Sequence, residues 1–141
     1  MALESIRVAT QRQMHMVDIT RQVQEIVHAS GVTGGTVFLF VAHTTCGITI
    51  QENADPGVQH DMQLVLGEIA PRDDRRYRHI EDNSASHVQS SMMGFSAFVF
   101  VEHGALVLGR WQAIYLAEFD GPRQRTVHVK VLPDVSSVSQ D

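Results

Sequence analysis

Three β-rich runs near the end of the chain, divided by two turn signals, constrain the fold more than any other feature. "FSAFVFVEHGALVLG" breaks at His103-Gly104, "WQAIYLAEF" follows, and Asp120-Gly121-Pro122 leads into "RQRTVHVKVL". Short runs joined by tight turns pair as antiparallel neighbours, because a parallel pairing needs a crossover of a dozen residues or more. This end of the chain therefore predicts a β-meander. Within it, Trp111, Tyr115 and Phe119 share one strand face and Gln112, Ile114, Leu116 and Glu118 the other. That pattern fits a central strand packed on both sides.

Upstream, "LESIRVAT" and "QMHMVDI" read as two strands joined by the polar turn Thr10-Gln11-Arg12. Ile19, Val23, Ile26 and Val27 then recur at helical spacing, with Gly31 as the C-terminal cap. "TVFLFVAH" is a continuous apolar run, expected to be a strand covered on both faces. "GITIQE" is a further strand. Asp55-Pro56 opens a second helix, since Asp accepts from the free N–H groups of the first turn and Pro at the first position loses no bond. Val58, Met62, Val65, Leu66 and Ile69 form its apolar stripe. Residues 71–83 are polar and read as a long ordered loop. "SASHVQSSMMG" is a third, shorter helix with Asn83 or Ser84 as its cap and Gly94 as its stop.

These elements predict an α+β fold: a compact single domain, 1–141, of packed, largely antiparallel β-sheets with two or three helices and a frayed tail at 134–141. A chain of 141 residues holds a real core without staples. With a net charge of -5 and one lysine, Lys130, nothing gathers cations into a stripe, so nucleic acid is not the expected partner. No apolar run reaches the length of a membrane span, and none is expected to enter one. A single cysteine excludes an intramolecular disulfide and suits a reducing, cytoplasmic compartment.

Three polar clusters carry the candidate chemistry. In "AHTTC", His43 ends an apolar strand, where its ring either projects into a pocket or satisfies buried backbone groups. Thr44 and Thr45 either cap a turn or cradle an anion. Cys46, a small residue with no basic neighbour in sequence, reads as buried and inert. In "QENADP", Glu52, Asn53 and Asp55 lie where a strand gives way to a helix, with Asp55 as the cap. In "YRHIEDNSASH", His79, Glu81, Asp82, Asn83 and His87 fall within nine positions, and His-x-Glu on an extended segment shares one face. Imidazoles with a carboxylate suit a divalent metal, zinc or magnesium, with His43, His79 and His87 as ligands, although the spacing matches no standard zinc motif. A solvated loop capping a helix is the plainer alternative. Trp111 either packs or lines the site. The other histidines read as ordinary helix, turn or strand positions.

Taken in order, "HTT", "ITI", "ENADP", then Tyr77, His79, Glu81, Asn83 and His87, then "LG.WQ" and "EFDGPR.R", the chain resembles the YjbQ-like family of small bacterial and archaeal proteins, often named secondary thiamine-phosphate synthase. The resemblance runs from about Thr20 to Leu132. It implies packed antiparallel sheets, a homotrimer, and a site near subunit boundaries. The family's histidines and acids fall on His43, Asp55, His79, Glu81 and His87, its threonines on Thr44 and Thr45, and its asparagines on Asn53 and Asn83. Cys46-Gly47 stands where the family commonly has two small residues such as Ala-Ala. Asp82 stands where it commonly has Gly, and Asn83-Ser84-Ala85-Ser86-His87 where it often has "NADAH".

The resemblance implies an enzyme joining a pyrimidine diphosphate to a thiazole phosphate with release of pyrophosphate. His79, Glu81 and Asp55 are then the expected catalytic groups. Thr44, Thr45, Asn53, Asn83 and Trp111 are the expected contacts to a small phosphorylated metabolite. The rivals are a metal-dependent hydrolase of a small metabolite and a non-catalytic trimeric metal- or ligand-binding protein. The sequence shows no Gly-rich phosphate cradle and no evident Arg/Lys clamp beyond Arg78, Arg110 and Arg123.

Overall fold

The computed structural model describes residues 2–135. Every strand pairing is antiparallel, and the pairings divide into two sheets. One sheet has the order β1-β8-β3-β5-β6, formed by Glu4–Ala9, Gln124–Pro133, Gly35–Val41, Ser96–Glu102 and Ala105–Leu106. The other has the order β2-β7-β4, formed by His15–Asp18, Gln112–Glu118 and Cys46–Glu52. The inward faces meet in one apolar core that includes Val37, Leu39, Val127 and Val129 from the first sheet and Ile48, Ile114 and Leu116 from the second. Helix α1, Thr20–Ser30, adds Val23 and Val27 to that core and ends on Gly31 in the left-handed conformation, φ 72°.

The outer face of the three-stranded sheet is covered by helices. Helix α3, Ser84–Met93, packs on β4 and β7, and its Gln89 amide donates to the Leu66 and Ala70 carbonyls of helix α2, Pro56–Ile69. This seat depends on Gly47. A Cβ there would lie 2.5 Å from the Gly94 carbonyl oxygen, which accepts the Ile48 N–H at 3.0 Å. Strand β7 is buried from Ala113 to Glu118, as its two-faced pattern requires.

Two local expectations are corrected. β1 and β2 do not form a hairpin: β1 pairs with β8 and β2 with β7, because the segment between them crosses from one sheet to the other. β3 is not covered on both faces. Its alternate residues Phe38 and Phe40 are 45% and 50% exposed, beside Phe98 and Phe100 of β5. The His103-Gly104 turn holds both residues at positive φ, the conformation that matches the twist of a two-residue hairpin. Of the tail expected to fray, Asp134 donates its N–H to the Gly34 carbonyl, and residues 136–141 lie outside the described residues. Among the described residues no helix is long and apolar enough to cross a membrane.

Candidate functional site

The β3–β4 corner is built on a buried charge network. Arg125 on β8 reaches Glu118 on β7 through two hydrogen bonds, 2.9 Å to Oε1 and 2.5 Å to Oε2. Thr10 Oγ1 donates to Glu118 Oε1 at 2.7 Å, and Arg125 also donates to Thr45 Oγ1 at 2.7 Å. Burial pushes the Glu118 carboxyl up, but the hydrogen bonds from Arg125 and Thr10 outweigh it and hold the group below the usual glutamate value. The same burial pushes the Cys46 thiol up to about 11, which suits an inert packing residue. His43, half-buried, accepts the Thr126 backbone N–H on Nε2 at 3.1 Å. Burial, then the Arg125 charge, lower its pKa and so favour the neutral ring.

A second polar group gathers at the start of α3. Asn83 is buried, and its Nδ2 donates to Asp120 Oδ2 at 2.9 Å. Arg123 donates to that same oxygen at 2.9 Å, and Arg72 lies 3.6 Å from Asp120 Oδ1. Arg72 also donates to Ser86 Oγ, which itself donates to the Phe119 carbonyl at 2.6 Å. Burial raises the Asp120 pKa, while Asn83 and Arg123 lower it further, so the net position is below the usual aspartate value. Both guanidiniums remain about half exposed, whereas the carboxylate they flank is 10% exposed. One residue beyond Ser86, His87 meets His79 edge to face, with ring centroids 5.1 Å apart. Glu81 is exposed on the same loop, and Asp82 holds φ 59°, a left-handed conformation that Gly adopts without strain.

These two groups adjoin. Ser90 on α3 donates to the Thr44 carbonyl at 2.6 Å, and the Phe119 N–H donates to the Thr45 carbonyl. Thr44, on the loop after His43, is thereby tied to the helix whose first turn carries Asn83 and His87.

Asn53, Asp55 and Trp111 are elsewhere. Register pairs Cys46 with Glu118 at one end of β4 and Glu52 with Gln112 at the other. Seven extended residues separate those ends by about 20 Å. Within one chain, the "HTT" and "ENADP" motifs therefore lie at opposite ends of a strand. Asn53 Oδ1 accepts the Tyr115 hydroxyl at 2.8 Å, and Gln59 braces that hydroxyl from α2. Asp55 Oδ1 accepts the Gly57 N–H at 2.8 Å, which is the capping role expected of it. Trp111 is 55% exposed under the Arg110 guanidinium, 4.8 Å from the ring centroid.

The expected three-histidine metal set does not converge within one chain. His43 has given its free lone pair to Thr126. Among the described residues no three His, Cys, Asp or Glu side chains are placed to hold an ion, whereas a catalytic zinc takes three protein ligands. Sequence reasoning missed Arg72 and Arg125. Arg125 shares strand parity with the inward-facing Val127, Val129 and Val131, and an inward arginine requires a buried acid. That parity was the available signal. Arg72 had none, because only the folded loop returns it to Asp120.

Fold and site together define a small two-sheet antiparallel α+β protein with a polar corner wrapped around one helix. The family model described as UPF0047 protein YjbQ-like matches residues 4–134, and the chain belongs to that family. The UPF0047 protein YugU of Bacillus subtilis is 45% identical over 130 residues, spanning 92% of this chain and 98% of its own length. A UPF0047 protein of Methanocaldococcus jannaschii is 41% identical, spanning 91% and 92%. The crystal structure of an uncharacterized conserved protein of the same family from Clostridium acetobutylicum superimposes with a TM-score of 0.89 at 43% identity, covering 92% of this chain and 99% of that one.

Proposed function

We propose that this protein is a cytoplasmic enzyme with secondary thiamine-phosphate synthase activity. The thiazole ring nitrogen attacks the methylene carbon of the pyrimidine diphosphate. A C–N bond forms, the C–O bond to the diphosphate breaks, and pyrophosphate departs with the electron pair. Such a displacement needs positive charge and hydrogen-bond donors on the leaving group.

The observation that supports this reading is the pairing of Arg72 and Arg123 about Asp120, which Asn83 joins to the start of α3, the helix that carries His87. Two half-exposed guanidiniums are held by one shielded carboxylate, which Asn83 ties to the start of α3, and their remaining N–H groups would serve a departing diphosphate. His87 on α3 and His79, whose ring packs on it, would serve as proton donors to the departing diphosphate, and Glu81 lies on the same loop as His79. Two imidazoles alone do not complete a metal site. A zinc or magnesium ion there would need further donors from the substrate phosphates or a neighbouring copy.

We place this activity in a homotrimer. The chain exposes two unlike apolar surfaces: the phenylalanine face of β3 and β5, and the Leu64, Val65, Ile69 and Met92 face of α2 and α3. A closed ring of three identical copies joins unlike surfaces head to tail, and large apolar faces are seldom left bare. Head-to-tail contact also permits the Asn53 and Trp111 end of one copy to approach the His79 and His87 end of the next.

Purified protein given the two phosphorylated substrates should release pyrophosphate and form thiamine phosphate, and His79→Ala should lose most of that rate. Full activity in His79→Ala removes the histidine from the mechanism.

A further inference from the structure

His43 stands where the five-stranded sheet changes partners. β3 ends at Val41, opposite Val127, so Thr126 is the first residue of β8 that β3 no longer serves. The imidazole takes over there, accepting the Thr126 N–H on Nε2 at 3.1 Å. An accepting ring nitrogen carries no proton, so neutral His43 holds its single proton on Nδ1. Protonation would turn Nε2 into a second donor facing the Thr126 N–H, which sets this contact against the charged form. Burial and the Arg125 charge act in the same direction.

The surrounding corner is rich in donors. Among the described residues, no protein hydrogen bond engages the backbone N–H of His43 or Thr44, or the exposed Thr44 hydroxyl. The Thr44 carbonyl, the acceptor that would compete, is occupied by Ser90. Runs of unengaged N–H groups beside a hydroxyl suit an oxygen-rich anion.

We propose that His43 is a fixed Nδ1–H donor to an anionic phosphate oxygen of the bound substrate, and not a metal ligand. Thr126 is its positioning residue: it acts through its backbone N–H, which a side-chain substitution leaves in place. This role rests on the synthase reading and deepens it by assigning His43 and Thr44 a phosphate contact besides the arginine pair.

The test uses the intact protein labelled with ¹⁵N-histidine. Two- and three-bond ¹H–¹⁵N correlations should show His43 with a protonated Nδ1 and an unprotonated Nε2 at about pH 8, where a histidine is neutral. Inorganic pyrophosphate should shift the Nδ1 resonance. His43→Ala should raise the half-saturating pyrophosphate concentration about tenfold, and zinc added to the unsubstituted protein should leave the His43 ring resonances in place, since a residue outside a ligand set contributes no metal bond. An Nε2-protonated ring overturns the proposal, as does an Nδ1 signal indifferent to pyrophosphate or a His43 ring that zinc shifts. The tautomer and the pyrophosphate shift are read on the unsubstituted protein, so they stand even if His43→Ala does not fold. A protein that shows both but forms no thiamine phosphate would retire the synthase reading and leave this one intact.

Discussion

Arg125 and Glu118, on different sheets, are joined by two hydrogen bonds while their side chains are 5% and 0% exposed. A buried pair of this kind is costly to break, because the surviving charge has no water to turn to. Arg125→Met should destabilise the protein by about 3–5 kcal/mol in denaturant titration. Glu118 titrates below its unfolded value, so its stabilisation is present above the ordinary glutamate pKa and is lost as pH falls through the lower folded value. Thermal unfolding should therefore show a steep loss of Tm below about pH 4.5, and Glu118→Gln should flatten that slope. An unchanged acid profile in Glu118→Gln would show that other carboxylates set it.

Cys46 offers a simple check on burial. With its thiol pushed up to about 11 and no exposed surface, it should resist alkylation in the native protein at pH 8. Mass spectrometry should find full modification only after unfolding. Rapid native labelling would mean that the β4 end opens.

Asp82 tests the loop that carries His79. Because it holds φ 59°, Asp82→Gly should change stability by less than about 1 kcal/mol, whereas Asp82→Val should cost more than about 1 kcal/mol. Denaturant midpoints of the two variants decide this.

Helix α2 contributes no buried residue in the single chain, although its sequence carries an apolar stripe. In the proposed trimer that stripe is covered. Hydrogen exchange along Pro56–Ile69 should slow as protein concentration rises and the assembly forms. Exchange independent of concentration, in a protein that sediments as a monomer, would contradict the trimer.

The sheets and helices were largely legible because strand alternation, helical stripes and caps such as Asp55 and Gly31 are local signals. The sheet partners of β1 and β2 were not, since proximity in sequence suggested a hairpin and only the two-sheet core separates them. The phenylalanines of β3 read as core because nothing in one sequence distinguishes a face buried in the fold from one left open. The grouping of His79, Asn83 and His87 was visible from spacing. The distance between "HTT" and "ENADP" was not, because neighbours in sequence became the two ends of one strand. Arg72 was invisible because its partner Asp120 is supplied by a distant turn.

Arg72 and Arg123 carry the positive charge that the proposed reaction places on its leaving diphosphate. The decisive measurement is pyrophosphate release from the pyrimidine diphosphate and thiazole phosphate pair, comparing the unsubstituted protein with an Arg72→Ala, Arg123→Ala double variant whose circular dichroism confirms folding. The unsubstituted protein should turn over, and the double variant should lose at least about a hundredfold in rate. Equal rates in the two proteins, or no pyrophosphate from either, would contradict the proposed function.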